Sequence, residues 1–329
     1  MKIKAIINTE SGNGHIDRYR SVLVDKLRRH LVDLEHTCRK GHATEIARAA
    51  VRRGIDTLVV AGGDGTVNEV LNGIMGSDTA LGIVPLGTAN DLAESLNIPS
   101  EIEKACEVIL NGNVRHSDVI RVNNWHYLTV GGIGLPSHAL AITEAIRKRR
   151  QLGKWMLSVL GSKIYILAAL MALARRSQRL GISAGGLSDA ISSYSLLIGN
   201  QRFLGRDFQV LPGARGDDGV FDVFLIKDLG SRLRLAGTVL KTLSASHVSR
   251  PDAVLFQGKR LQIRSWQPVA FCGDGEIREK AWDFDIEVVP RAVKVLAPPE
   301  AAAGRIAADN GHVQDEPLYR HRVACGADY

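Results

Sequence analysis

Residues 56–69, DTLVVAGGDGTVNE, set a short apolar strand, a glycine turn and a helix start in immediate succession. A continuous apolar strand has to be buried on both faces, which in a chain of this kind means a parallel sheet built from βαβ units. The rest of the first third keeps the same rhythm. Ile3–Asn8 reads as a strand, Arg18–Leu34 and Ala43–Arg53 as helices, Asp56–Ala61 as a strand, Thr66–Ile74 as a helix, Leu81–Val84 as a strand and Asn90–Leu96 as a helix. The alternation predicts an α/β fold whose N-terminal domain is doubly wound and Rossmann-like.

After about Arg121 the rhythm changes. Tyr127–Val130, Tyr194–Ile198, Val220–Ile226, Leu261–Ile263 and Val269–Cys272 read as strands with few helices between them, which predicts a C-terminal β-rich, sandwich-like domain. A chain of 329 residues exceeds the size at which one core stops growing. The expected division is an α/β domain over 1–121, a β-rich domain over 122–299 whose last strand has the option of returning to the first, and a disordered tail over 300–329, where periodicity is lost. One helical stretch, Pro136–Arg179, interrupts the strands. Its basic flanks, Arg147-Lys148-Arg149-Arg150 and Arg175-Arg176, bracket Trp155, Met156, Leu157 and the uncharged run Ile164–Ala174. That run is too short to cross a bilayer, so the stretch is either a core helix or the part that touches a membrane surface.

The formal charge of +7 favours polyanions without choosing among them. Aromatic residues make up only 5% and are not interleaved with a basic stripe, so no nucleic-acid partner is expected. Cys38, Cys106, Cys272 and Cys325 are widely spaced, which suggests neither zinc nor disulfides and fits a reducing, cytoplasmic setting. The opening MKIKAIIN reads as a strand rather than a leader peptide.

The chemistry is concentrated in the glycine turns. Gly62, Gly63 and Gly65 remove Cβ atoms where backbone amides must approach a ligand, and Thr66 with Glu69 has the spacing of a capping box at the following helix. Amides and the helix dipole together suit a phosphate. Asp64 within such an anion site calls for a metal or a proton-accepting role, and both suit phosphoryl transfer. A second strand and turn, PLGTANDLA at 85–93, repeats the pattern, with Thr88 and Asp91 spaced as helix cap and partner. A third turn, Asn8-Thr9-Glu10-Ser11-Gly12-Asn13-Gly14, follows the first strand. In an open α/β sheet all three face one crevice at the strand ends. None is a Walker A loop, because no Gly-Lys-Ser/Thr follows the glycines.

GGDGTVNEV at 62–70, PLGTANDLA at 85–93 and NTESG at 8–12 together resemble the diacylglycerol kinase catalytic-domain family, which includes bacterial lipid kinases and the sphingosine and ceramide kinases. The resemblance runs over roughly residues 1–298, with Thr9 standing where the family usually has proline. It implies that ATP is contacted by Asn8, Thr9, Glu10, Ser11 and Gly12, by Thr37, by the segment Gly63, Asp64, Gly65, Thr66, Val67, Asn68 and Glu69 with Gly62 before it, and by Thr88. It also implies that Asp274-Gly275-Glu276 carries the catalytic carboxylates, Glu276 accepting the proton with Asp274 as its partner, where the residues alone suggest a turn. The segment LPGARGDDGVFD at 211–222 is similar to the family's structural Mg²⁺ loop, with the Asp218 carboxylate and the carbonyls of Arg215 and Val220 as ligands.

The expected activity is therefore an ATP- and Mg²⁺-dependent lipid kinase, peripherally associated with the membrane, with diacylglycerol ahead of phosphatidylglycerol or a sphingoid base as acceptor. A homodimer is left open. Two rivals stand beside it: an NAD kinase-like enzyme, which would share the GGDGT turn but lack PLGTANDLA, and a nucleotide-dependent lipid-binding protein without catalysis.

Overall fold

The computed structural model describes residues 1–9, 16–148, 171, 173–174, 176–184, 187–205 and 208–299. The described chain divides into two compact units, the first made of Met1–Ser117 and the segment from Arg291 onward, the second of Asp118–Pro290.

Four parallel strands make the frame of the first unit: β1 (Ile3–Asn8), β2 (Leu31–Thr37), β3 (Thr57–Gly62) and β4 (Ala80–Pro85), in the order β2-β1-β3-β4. β3 and β4 are buried along their whole length and β1 along all but its last residue. Such burial is what Val- and Ile-rich strands covered on both faces require. The helices are α1 (Ile16–Leu27), α2 (His42–Arg52), α3 (Asp64–Ile74), α4 (Asp91–Ser95) and α5 (Ile102–Asn111), with α1 packed on α5 and α2 on α3. The chain leaves β1 in one direction, to β2, and leaves β3 in the other, to β4. The right-handed crossover rule then sets the two helix pairs on opposite faces. The end of the last strand returns to this unit, Val295 pairing in parallel with Leu81.

The helix expected over Arg18–Leu34 ends at Leu27, and Leu31–Thr37 is the strand β2. The reason lies on β1. Lys4 is 3% exposed, and its ammonium sits 2.8 Å from Asp33 and 2.7 Å from Glu35 on β2. A strand that offers two carboxylates to a buried cation loses its apolar alternation, and with it the period-2 signal.

The second unit is antiparallel. β5 (Asn113–Val122), β6 (Trp125–Tyr127), β7 (Val130–Gly134), β8 (Gln178–Ala184), β9 (Leu187–Gly199), β10 (Phe221–Lys227), β11 (Ala253–Gly258), β12 (Arg260–Gly273) and β13 (Glu276–Ala297) run largely in the order β11-β10-β9-β7-β12-β13, with β8 paired to both β9 and β12. β5 begins in the first unit, and β13 ends there. Among the described residues two α-helices, α6 (Leu135–Lys148) and α7 (Arg232–Lys241), belong to this unit. One core gathers Tyr127, Phe221, Phe271 and Phe284; the other gathers Leu211, Phe224, Leu235 and Val239.

Two expectations change here. Leu261–Ile263 and Val269–Cys272 are one strand, β12, whose register slips between Arg264 and Val269; that irregularity splits its apolar pattern in two. The helical stretch expected over Pro136–Arg179 begins as α6, but Gln178 and Arg179 open β8. Arg149, Arg150, Arg175, Trp155, Met156, Leu157 and most of the run Ile164–Ala174 lie outside the described residues, as does the tail over 300–329. Among the described residues no helix is long and apolar enough to cross a membrane.

Candidate active site

The sheet register brings the carboxyl ends of the parallel strands into one row, with Asn8 beside Thr37, Ile7 beside Ala61 and Gly62 beside Pro85. In the order β2-β1-β3-β4 the direction of winding reverses between β1 and β3. An α/β sheet leaves its ligand crevice at such a switch point. Side chains knit the row together: Asn8 Nδ2 donates to Thr66 Oγ1 at 2.7 Å, and Thr9 Oγ1 donates to the Thr37 carbonyl at 3.2 Å. A Cβ on Gly62 would sit 2.9 Å from Thr66 Oγ1, so β3 can end against Thr66 only as glycine.

The two glycine turns meet backbone to backbone. A Cβ on Gly63 would lie 3.1 Å from the Gly87 Cα, and one on Gly87 would lie 2.6 Å from both the Gly63 Cα and Asn90 Oδ1. Asn90, left-handed at φ 55°, closes its own turn by accepting from the Gly87 amide at 2.8 Å and donating to the Gly87 carbonyl at 2.9 Å. Asp64 then ties one turn to the other, its Oδ2 accepting from the Asn90 amide at 2.9 Å. The carboxylate that looked anomalous in an anion site thus holds the floor of that site together. Gly87→Ala is expected to lower stability by about 1–3 kcal/mol through overpacking. ATP affinity should fall with it, with thermal melting and nucleotide titration as the measurements.

Both expected caps are corrected. α3 starts at Asp64 behind an extended Gly63, so Thr66 lies within its first turn, without a side-chain cap. Glu69 serves another helix: its two carboxylate oxygens accept the Gly41 and Ala43 amides at 2.7 and 3.1 Å, at the start of α2, while its carbonyl accepts Thr44 Oγ1. α4 starts at Asp91 behind Asn90, so Thr88 is an exposed turn residue and caps nothing. Three-residue spacing looks the same whether the carboxylate reaches back along its own helix or across to a neighbour, and only tertiary packing separates the two. Val67 and Asn68 are buried, so neither side chain is presented to a ligand at the surface. Glu10, Ser11 and Gly12 lie outside the described residues.

In the second unit, Asp274 and Gly275 form the two-residue turn joining β12 to β13, both at positive φ (48° and 73°), with Gly273 opposite Glu276. Asp274 is 5% exposed and points inward. Its Oδ1 accepts from the Thr129 amide at 2.8 Å and the Thr129 hydroxyl at 2.6 Å, and its Oδ2 from the Leu128 amide at 3.0 Å. The neighbouring Tyr127 is completely buried, and burial, followed by the Asp274 charge, pushes its hydroxyl well above the usual phenol range. The Glu276 side chain is 13% exposed, with Arg278 3.6 Å away. The Arg278 guanidinium in turn lies 4.2 Å over the Trp125 ring.

The loop after β9 presents Asp218, exposed at the surface, its Oδ1 accepting from the Val220 amide at 3.2 Å. Burial raises its carboxyl above the usual range, and the Asp118 charge adds to the effect. Asp118, 1% exposed on β5, accepts from the Gly219 amide at 2.7 Å. Asp118 is absent from the sequence-based site, although a carboxylate between apolar strand residues in HSDVIRV was a visible signal. Arg215 pairs with Asp217 at 3.5 Å through its side chain, leaving any ligand role to its carbonyl. Among the described residues no group of three or more His, Cys, Asp and Glu side chains forms a metal cluster. One carboxylate plus carbonyls remains a suitable donor set for a hard cation, and a carboxylate strained by burial and a like charge is one that a cation relieves.

Residues 2–122 match the model of the diacylglycerol kinase catalytic domain, and residues 145–297 that of the YegS C-terminal NAD kinase beta sandwich-like domain. The chain is 28% identical to a diacylglycerol kinase of Bacillus subtilis (strain 168) over 73% of its own length and 77% of the relative's. It is 27% identical to a diacylglycerol kinase of Staphylococcus aureus (strain JH9), with 84% of each covered. A crystal structure of a candidate diacylglycerol kinase from Bacillus anthracis str. Sterne superposes with a TM-score of 0.75 over 91% of this chain and 96% of that one; at 24% identity it speaks for the fold alone.

Proposed function

The chain belongs to the diacylglycerol kinase catalytic-domain family and is a lipid kinase, and on that premise we propose that it transfers the γ-phosphoryl group of ATP to the hydroxyl of diacylglycerol, giving phosphatidic acid. The observation that carries the ATP half is the contact of Gly63 with Gly87 under the bridging Asp64 carboxylate, at the ends of adjacent parallel strands. Backbone amides free of Cβ atoms, beside the start of an eleven-residue helix, suit a triphosphate. In this reading 1–121 is a doubly wound, Rossmann-like nucleotide domain, and 122–299 handles the lipid. The enzyme works from the cytoplasmic surface of a bilayer.

Asn8, Thr9, Thr37, Thr66 and Thr88 line the nucleotide, and Glu10, Ser11 and Gly12 are further residues assigned to it by the family resemblance. Gly62, Gly65, Val67, Asn68 and Glu69 shape and brace it. Asp64 orients the metal-bound phosphates. Glu276 accepts the proton as the lipid oxygen bonds to the γ-phosphorus and the bond to the β-bridging oxygen breaks, releasing ADP. Asp274 holds the Leu128–Thr129 backbone behind it. Bound Mg²⁺ would supply charge neutralisation at the phosphates, and Asp218 with the carbonyls of Arg215 and Val220 would hold a structural Mg²⁺.

The test is transfer of label from γ-labelled ATP to diacylglycerol in mixed micelles, with NAD offered in parallel and the product identified by mass spectrometry. Labelled phosphatidic acid is expected. Label on NAD, or ATP-modulated lipid binding without transfer, would replace the proposal with one of its rivals. The metal loop has its own test. Because the folded pKa of Asp218 is raised, its ionised form costs stability above the ordinary carboxylate range, and the cost fades as pH falls. Asp218→Asn is therefore expected to melt no lower than wild type in chelator. The Mg²⁺-dependent gain of wild type, about 2.7 kcal/mol at a hundredfold excess over Kd, should be absent from the variant.

A further inference from the structure

α7 carries two apolar stripes, and only one of them has a partner among the described residues. Leu235, Thr238 and Val239 face the core, whereas Leu233 and Leu240, two helical turns apart on the opposite side, are 86% and 49% exposed. Leu229 just before the helix and Leu243 just after it extend the exposed stripe at 43% and 42%. Arg234 and Lys241 flank it, exposed, and neither enters an ion pair among the described residues. From Leu229 to Pro251 the sequence contains no Asp or Glu and four Lys or Arg. Asp228 and Asp252 bound this stretch, where they meet Arg232 and Arg250, but an outward leucine ridge edged by Arg234 and Lys241 is the composition of a helix that lies in a lipid interface.

The geometry points to α7 as a membrane-docking helix whose partner is the surface of a bilayer containing anionic lipid, a choice of partner that rests on the lipid-kinase reading above. Charge decides against a second copy of the chain. A self-paired α7 would set Arg234 and Lys241 against their own duplicates, with no acidic residue from 229 to 251 to neutralise them. An anionic surface supplies that neutralisation, and the leucines enter the acyl boundary. Arg232 donates to the carbonyl of Leu173, near the end of the uncharged run Ile164–Ala174, where Met171 is 53% exposed.

Co-sedimentation of the full chain with vesicles tests the inference. Phosphatidylcholine vesicles are compared with vesicles in which about a third of the lipid is phosphatidylglycerol. Wild type is expected to bind the anionic vesicles and to release with added salt. The double variant Leu233→Asp/Leu240→Asp and the charge variant Arg234→Glu/Lys241→Glu should each lose at least about tenfold in vesicle affinity. Both should keep the melting temperature, ATP affinity and turnover of a short-chain diacylglycerol dissolved as monomer. Vesicle binding unchanged in both variants, or equal binding of wild type to neutral and anionic vesicles, overturns the inference. So does a wild-type dimer that the leucine variant converts to monomer. Vesicle binding that depends on α7 in a protein transferring no phosphate to any lipid would leave the docking surface standing and remove the kinase reading instead.

Discussion

Asp64→Asn is expected to lower turnover by about 10²–10⁴-fold while the protein folds and melts within about 1 kcal/mol of wild type. The substitution separates the two duties of this carboxylate. Its hydrogen bond to the Asn90 amide joins the two glycine turns, and an asparagine Oδ1 can accept the same bond at 2.9 Å. What asparagine cannot supply is negative charge to orient metal-bound phosphates. Asp64→Ala removes both duties. It should lose turnover to a similar extent and about 1–3 kcal/mol of stability as well, because the Asn90 amide loses its acceptor. Steady-state kinetics alongside chemical denaturation distinguish the variants. Near-full activity in Asp64→Asn would leave Asp64 as scaffold only.

The chemistry was more legible in the sequence than the contacts that support it. Apolar runs followed by glycine located β3, β4 and both turns, because a strand buried on both faces has no polar residues to disguise it. β2 escaped because its inward residues answer Lys4 with charge, and a helix reading absorbed them. β13 was invisible for a different reason. Apolar and acidic residues alternate only over Trp282–Val288, Arg278-Glu279-Lys280 and Pro290 interrupt the pattern on either side, and Arg121 on β5 binds Asp285 and Glu287 from it. At the site, residue types carried the signal and partners did not. The spacing of Thr66 and Glu69 suggested a local cap, whereas Glu69 holds the start of α2 and Thr66 receives Asn8 from the end of β1. Asp-Gly at 274–275 signals a turn, and only the family resemblance of Asp274-Gly275-Glu276 points to chemistry there; the inward aim of Asp274 onto Leu128 and Thr129 is a tertiary fact spanning about 145 residues of chain.

That inward aim separates the two carboxylates of the β12–β13 turn by experiment. Glu276→Gln is expected to lower kcat by about 10²–10⁴-fold with little change in KM for ATP, the signature of a lost proton acceptor rather than of lost binding. Stability should change by less than about 1 kcal/mol, since the partner Arg278 is 37% exposed and stays seated over Trp125. Asp274→Asn behaves differently. Two backbone amides and a hydroxyl converge on its carboxylate, and an amide side chain would turn a donor toward one of them, costing about 1–3 kcal/mol. Loss of activity in Asp274→Asn should therefore track loss of fold across a temperature series, whereas in Glu276→Gln it should persist in fully folded protein. If Glu276→Gln retains wild-type kcat, the proton goes elsewhere, and Asp64, already beside the proposed phosphates, becomes the acceptor to test against the same pH-rate measurements.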